Sequence, residues 1–346
     1  MKTSHAVLFG DARHRLAGLS SSKVDLVVTS PPYPMIGMWD ETFSHRSAAI
    51  GERLREGDGD GAYELMHREL DPVWREVHRL LRPGGIACIN VGDATRTIGG
   101  SFRVFPNHAR ILTACLGLGF EVLPEILWRK ESNKPTKFMG SGMLPGAAYV
   151  TQEHEYILIL RKGGKRPSGS LARRLARQRS AFFWEERNAW FSDIWEGLQG
   201  DRQPLRVKGA RDRSASYPFE LAYRLISMFS VQNDLVLDPF LGTGTTMVAA
   251  AAAGRDSVGI ELDPRFKGHI EQRMVGAISA SDSFSERRVS DHLAFVKKMR
   301  GDGRELRHTN RYYGFPVMTG QEERARIPVL KSVEMKADGV FEARYR

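Results

Sequence analysis

The residues Ser30-Pro31-Pro32-Tyr33 place a hydroxyl, a run of backbone carbonyls and an aromatic ring within one short, stiff segment. The two prolines fix φ and remove amide donors, so the segment offers acceptors rather than donors. An exocyclic amino group on a nucleobase has the opposite character: two N–H donors and a flat π face. A base turned out of its helix would suit such a loop, although the same residues also read as an ordinary strand followed by a proline turn.

A second stretch, Asp238-Pro239-Phe240-Leu241-Gly242-Thr243-Gly244-Thr245-Thr246, combines an acid with a glycine turn. Glycines there allow a ligand to approach the backbone at a helix N-terminus. No Gly-Lys-Ser/Thr ending follows, which disfavours a phosphate-gripping loop. Glu261 closes the next apolar run, at the separation where dinucleotide folds place a ribose-binding carboxylate. Asp11 and Asp93 each end an apolar run as well. Asp11 reads equally as a ligand contact or a helix N-cap, and the two roles can coexist. Asp93 reads either as a group that orients Ser30 or the target amine, or as a strand-end turn aspartate.

Positioning these groups requires strands that end at a common edge. Residues 24–29 form a β-branched run typical of a buried parallel strand, and residues 6–11, 86–93, 234–238 and 257–261 are similar. Helical spacing falls at 14–19, 65–81, 106–118 and 247–253, the second ended by Arg82-Pro83-Gly84-Gly85 and the last by Gly254. Two further strands are expected at 121–128 and 155–160, the latter antiparallel. Gly57-Asp58-Gly59-Asp60-Gly61 reads as a flexible loop and residues 130–149 as a surface loop near the site. Alternating strands and helices predict an α/β fold.

The 346 residues carry a formal charge of +10 and two cysteines, Cys88 and Cys115. Excess positive charge favours an anionic partner, nucleic acid first. Two cysteines in apolar sequence indicate neither a disulfide framework nor a metal site, and no stretch reads as a signal peptide or membrane span, so a cytoplasmic, nucleoid-associated protein is expected. Basic residues concentrate in 161–213, among them Arg173 and Arg177, Lys208, Arg211 and Arg213, interleaved with aromatic residues. As a group they are candidate DNA contacts; singly, each reads as a solvated charge.

Thr29-Ser30-Pro31-Pro32-Tyr33 resembles the catalytic motif of amino-methylating DNA methyltransferases, in its N4-cytosine form. Asp238 to Thr246 is similar to that family's cofactor motif. The order, proline motif first and glycine motif last, resembles the β group of the family. This resemblance implies a doubly wound, Rossmann-like, mostly parallel sheet with an antiparallel strand, a circularly permuted methyltransferase fold with an inserted target-recognition region. It divides the chain into a catalytic half (1–160), a basic target-recognition region (161–213), a cofactor half (214–276) and an accessory segment (277–346) with a terminal hairpin. S-adenosylmethionine is the implied cofactor, held by Asp238, Pro239, Phe240, Gly242, Thr243, Gly244 and Thr245, with its ribose at Glu261 and its adenine near Asp11. Ser30, Pro31, Pro32, Tyr33 and Asp93 are the implied catalytic residues, acting on the N4 amine of a flipped cytosine in double-stranded DNA. N6-adenine methylation is the near alternative, and a DNA-binding regulator on an inactive methylase fold the distant one. A cognate restriction endonuclease and a homodimer are left open.

Overall fold

The computed structural model describes residues 1–130, 139–166, 169–198 and 217–346. Its central feature is a ten-stranded sheet with, in chain order, β1 (Lys2–Phe9), β2 (Val24–Thr29), β3 (Leu81–Val91), β4 (Phe120–Arg129), β5 (His154–Lys162), β6 (Ile194–Trp195), β7 (Leu235–Asp238), β8 (Asp256–Glu261), β9 (Leu330–Ala337) and β10 (Val340–Tyr345). Across the sheet the order is β6-β4-β5-β3-β2-β7-β8-β1-β10-β9. The middle five, β3-β2-β7-β8-β1, are mutually parallel. β5 lies antiparallel between β3 and β4, as expected for 155–160, and the terminal hairpin β9–β10 adds antiparallel to β1.

The chain leaves β2 toward β3 on one side and β7 toward β8 on the other. The crevice between the carboxyl ends of β2 and β7 is therefore the point where the winding reverses, which is where open α/β sheets bind ligands. Every residue of β2 is buried, because helices cover both faces. Val27 packs with α4 (Gly59–Leu80) and α5 (Asn107–Gly117), while Leu26 and Val28 pack with α8 (Phe219–Phe229) and α9 (Thr245–Ala253).

The expected helix at 14–19 is a single turn, α1 (Ala12–Arg15), continued as a 3-10 turn. After Tyr33 come α2 (Asp40–Arg46) and α3 (Ala48–Glu56). Residues 57–61 are not a flexible loop: Gly57 ends α3 in the left-handed region, and Asp58 caps α4 by accepting from the Gly61 amide at 2.9 Å. Glycine-aspartate alternation marks a helix-to-helix junction here, because a left-handed stop and a capping acid fall next to each other.

Helices α6 (Leu171–Arg179) and α7 (Trp184–Trp190) fall within the region expected to read DNA. α6 lies beneath the amino ends of β2 and β7, since Arg173 reaches Asp234 at 3.3 Å and the Gln232 amide donates to Ser180 Oγ at 2.8 Å. That places it roughly 20 Å, one strand length, from the opposite edge. α10 (Lys267–Val275) and α11 (Ala277–Gly301) follow β8. Arg288 of α11 binds Glu186 of α7 and Tyr223 of α8, and the terminal hairpin packs on α9, so residues 277–346 brace the sheet. Among the described residues, no helix is long and apolar enough to cross a membrane.

Candidate active site

The carboxyl ends of β1, β2, β7 and β8 open on a cavity of about 530 Å³, a size that suits a cofactor-sized molecule. Ser30, Pro31, Pro32 and Tyr33 line one side, and Pro239, Phe240, Gly242, Thr243 and Thr245 another, with Asp11 and Glu261 completing the wall. The sequence motifs thus meet, although more than 200 residues separate them.

Asp238 joins the two turns from below and does not line the cavity. It is 2% exposed and accepts from Thr29 Oγ1 at 2.6 Å, Thr246 Oγ1 at 2.5 Å, Tyr217 Oη at 3.3 Å and the Phe240 amide at 3.0 Å. Burial pushes its carboxyl up from the ordinary aspartate range, against the pull of these hydrogen bonds. Its expected contact with the cofactor therefore gives way to a supporting role. Gly244, also expected at the cofactor, is the left-handed residue ahead of α9, and a Cβ there would touch Ile270 at 3.4 Å. Gly242 differs: its φ is +54°, and a Cβ there would meet nothing nearer than 3.9 Å, so its backbone faces open space. Its amide donates to Glu261 Oε2 at 2.8 Å, and the Asp263 amide donates to Oε1 at 2.8 Å. These amides fix the Glu261 carboxylate at the cavity wall.

Asp11 caps α1 through the Arg13 amide and lines the cavity at the same time. Burial opposes its ionisation, but hydrogen bonds from Arg13 and the charge of Arg46 outweigh this and hold its carboxyl below the usual range. Trp39, Thr42, His45 and Arg46 line the same cavity, so the insertion after Tyr33 forms part of its wall. Met35, buried just beyond the motif, holds a φ of +65°, a conformation that costs about 1 kcal/mol or more and is kept by its packing.

Asp93 does not reach Ser30. Its carboxylate accepts from the His108 amide at 3.0 Å and from His108 Nδ1 at 2.8 Å, which makes it a strand-end acid serving the start of α5. The partner of Ser30 Oγ is Tyr33 Oη, at 2.9 Å. Tyr33 Oη in turn meets Glu155 Oε2 at 2.9 Å, Asn90 Nδ2 donates to both, and Lys130 Nζ binds Glu155 Oε1 at 2.5 Å. Burial, and then the charge of Glu155, pushes the Tyr33 phenol well up. Sequence reasoning missed Asn90, Lys130 and Glu155. A strand residue two positions past a turn carries no local signal of such a link.

Arg173 is committed to Asp234 and Asp25 at the other edge of the sheet, so its expected contact with DNA is replaced by internal ion pairs. Arg177, on the same helix, is exposed. Lys208, Arg211 and Arg213 lie outside the described residues. Among the described residues, no group of His, Cys, Asp or Glu could hold a metal ion.

A family model for DNA methylases of the N6/N4 type matches residues 24–272. The chain belongs to this DNA methylase family. The methylase is 50% identical over 347 residues to the Type II methyltransferase M.MthZI of Methanothermobacter thermautotrophicus, covering 100% of this chain and 96% of that relative. It is also 50% identical over 283 residues to M.MjaI of Methanocaldococcus jannaschii, covering 79% and 91%. Among solved structures, a DNA modification methylase from Thermus thermophilus, complexed with S-adenosyl-L-methionine, is 37% identical with a TM-score of 0.60, over 79% of this chain and 95% of that one. The cytosine-N4-specific PvuII DNA methyltransferase shares the fold alone, at 18% identity and a TM-score of 0.55, over 77% of this chain and 85% of that one.

Proposed function

We propose that this methylase transfers a methyl group from S-adenosylmethionine to the exocyclic N4 amine of a cytosine turned out of double-stranded DNA, as the modification enzyme of a restriction-modification system. The observation that carries the reading is one cavity walled by both motif turns, with Asp238 bracing them beneath. The Type II relatives, at half identity, support the restriction-modification setting.

The residues present fit the cofactor. Gly242 gives a close backbone approach, the Glu261 carboxylate at the cavity wall suits a pair of ribose hydroxyls, and Asp11 presents acceptor oxygens. When bound, S-adenosylmethionine supplies an electrophilic methyl on sulfur. The protein's own task is to make a weak nucleophile act. The cytosine amine donates its lone pair into the ring, and acceptors placed at its hydrogens push electron density back onto nitrogen. Ser30 Oγ and the carbonyls around Pro31 supply acceptors, and the prolines have no N–H to compete for them. Tyr33 offers a ring face, held by its hydroxyl to Glu155 and Asn90. Positioning the amine against the methyl then lowers the barrier without a covalent adduct. Both cysteines are buried, away from such a role.

A second reading, N6-adenine methylation, fits the matching family model equally, since that model spans both amines. Serine ahead of the two prolines supports cytosine instead. Nucleoside mass spectrometry of unmethylated plasmid DNA after incubation with the protein separates the readings. N4-methylcytosine is the expected product, N6-methyladenine would replace it under the second reading, and DNA bound but never methylated would leave only a regulator.

A further inference from the structure

The hydrogen bonds behind Ser30 have a fixed direction. Tyr33 Oη has two acceptors in reach, Glu155 Oε2 at 2.9 Å and the Asn90 carbonyl at 3.4 Å, and the nearer carboxylate oxygen takes its single proton. Tyr33 Oη can then only accept from Ser30, at 2.9 Å, and from Asn90 Nδ2, at 2.9 Å. Ser30 therefore points its proton away from the cavity and its lone pairs toward it. Lys130 binds the far oxygen of the carboxylate, and Glu155 is only 7% exposed. The other acids nearby are engaged elsewhere: Asp93 by His108, Asp11 by Arg13, and Asp238 by hydroxyls of the glycine motif.

We infer that Glu155 is a positioning residue that takes up the proton released by methyl transfer, acting through Tyr33 and Ser30; this rests on the methyltransferase reading above. The nitrogen lone pair forms the new N–C bond while the S–C bond breaks and leaves its electron pair on sulfur. The nitrogen then carries one proton too many. That proton passes to Ser30 Oγ, the serine proton to Tyr33 Oη, and the tyrosine proton to Glu155 Oε2. The products are a neutral methylated amine, a neutral thioether and a protonated Glu155, which returns its proton to solvent before the next turnover. Among the described residues, the titratable groups that bond to Glu155 are Tyr33 from the loop after β2 and Lys130 from just past β4; Asn90 of β3 and Gly92 just beyond it are neutral.

The test is Glu155→Gln, with Tyr33→Phe as a second variant should the first fail to fold. Single-turnover transfer of labelled methyl to unmethylated plasmid DNA is followed across pH, with S-adenosylmethionine affinity by calorimetry and DNA affinity by filter binding. Both variants are expected to be slower by roughly 100-fold, with both affinities unchanged. The relay predicts that the native rate falls toward acid pH and that this fall vanishes in each variant, and the double variant should be no slower than either single one. A native rate in Glu155→Gln, a slow variant that keeps the acid fall, or weakened binding of either ligand would overturn the relay. A native protein that methylates no DNA would overturn the underlying reading instead, so the two failures are distinguishable.

Discussion

Strand β7 is bracketed by two buried acids, Asp234 just before it and Asp238 at its end, and they are partnered in opposite ways. Asp234 accepts from Arg166 at 2.8 Å and Arg173 at 3.3 Å, beside Asp25, which Arg82 approaches to 3.0 Å. Asp238 is met by the hydroxyls of Thr29, Thr246 and Tyr217 and by a backbone amide, with no arginine or lysine partner among the described residues. At the amino edge, guanidinium groups cancel the buried charge and lock α6 to the sheet. At the carboxyl edge, neutral donors satisfy the acid and leave its negative potential in place, next to the cavity proposed for a cationic sulfonium. At the two ends of one strand, a buried acid is thus matched by cations where the sheet is held and by neutral donors beside the proposed site.

Five substitutions bear on this contrast. Asp238→Ala strands the Thr29 hydroxyl and the Phe240 amide, each costing about 1–3 kcal/mol when left unpaired, while Thr246 and Tyr217 keep each other as partners. Denaturant unfolding should show a loss of about 4 kcal/mol, and calorimetry no binding of S-adenosylmethionine; intact binding would break the claim that Asp238 supports the site. Ser30→Ala should cut turnover roughly 100-fold at unchanged cofactor affinity, whereas Gly242→Leu should abolish cofactor binding, and the reverse pattern would contradict both roles. Asp234→Ala should cost about 2 kcal/mol, less than a fully buried pair because Arg166 and Arg173 stay partly solvated, while turnover stays unchanged. A turnover loss there would mean that the two edges are not independent. The smallest effect is expected for Arg173→Ala, about 1 kcal/mol of stability, with the salt dependence of DNA binding unaltered. A shallower salt slope would return Arg173 to the DNA interface.

Strands and motif turns were legible in the sequence because their signals are local. The apolar run ending at Thr29 stops against prolines, and the one ending at Asp238 stops against Pro239 and a glycine turn. The terminal hairpin and antiparallel β5 were legible for the same reason, through residue type and spacing. Pairings across the sheet were not. Asp93 and Glu155 both sit near strand ends, and nothing adjacent to either says which will meet the proline motif; the antiparallel register of β5 against β3 decides it. Composition misled in 161–213, where arginine clustering suggested a surface. Part of that charge turns inward because Asp25 and Asp234, far away in the chain, are buried and must be matched. The 57–61 segment misled in the same way, since glycine and aspartate serve helix ends as readily as loops.

β1 lies between β8 and β10, so residues 2–9 pair with residues 257–261 on one side and 340–344 on the other. Both partners of β1 lie far along the chain, so it is among the last strands to find its neighbours. Until β8 and β10 have been made its hydrogen-bonding edges have no native partners, and contacts this distant in the chain form slowly. The nascent methylase must keep an aggregation-prone edge protected during that wait. Removing β10 would leave β1 with one edge bare for the protein's lifetime.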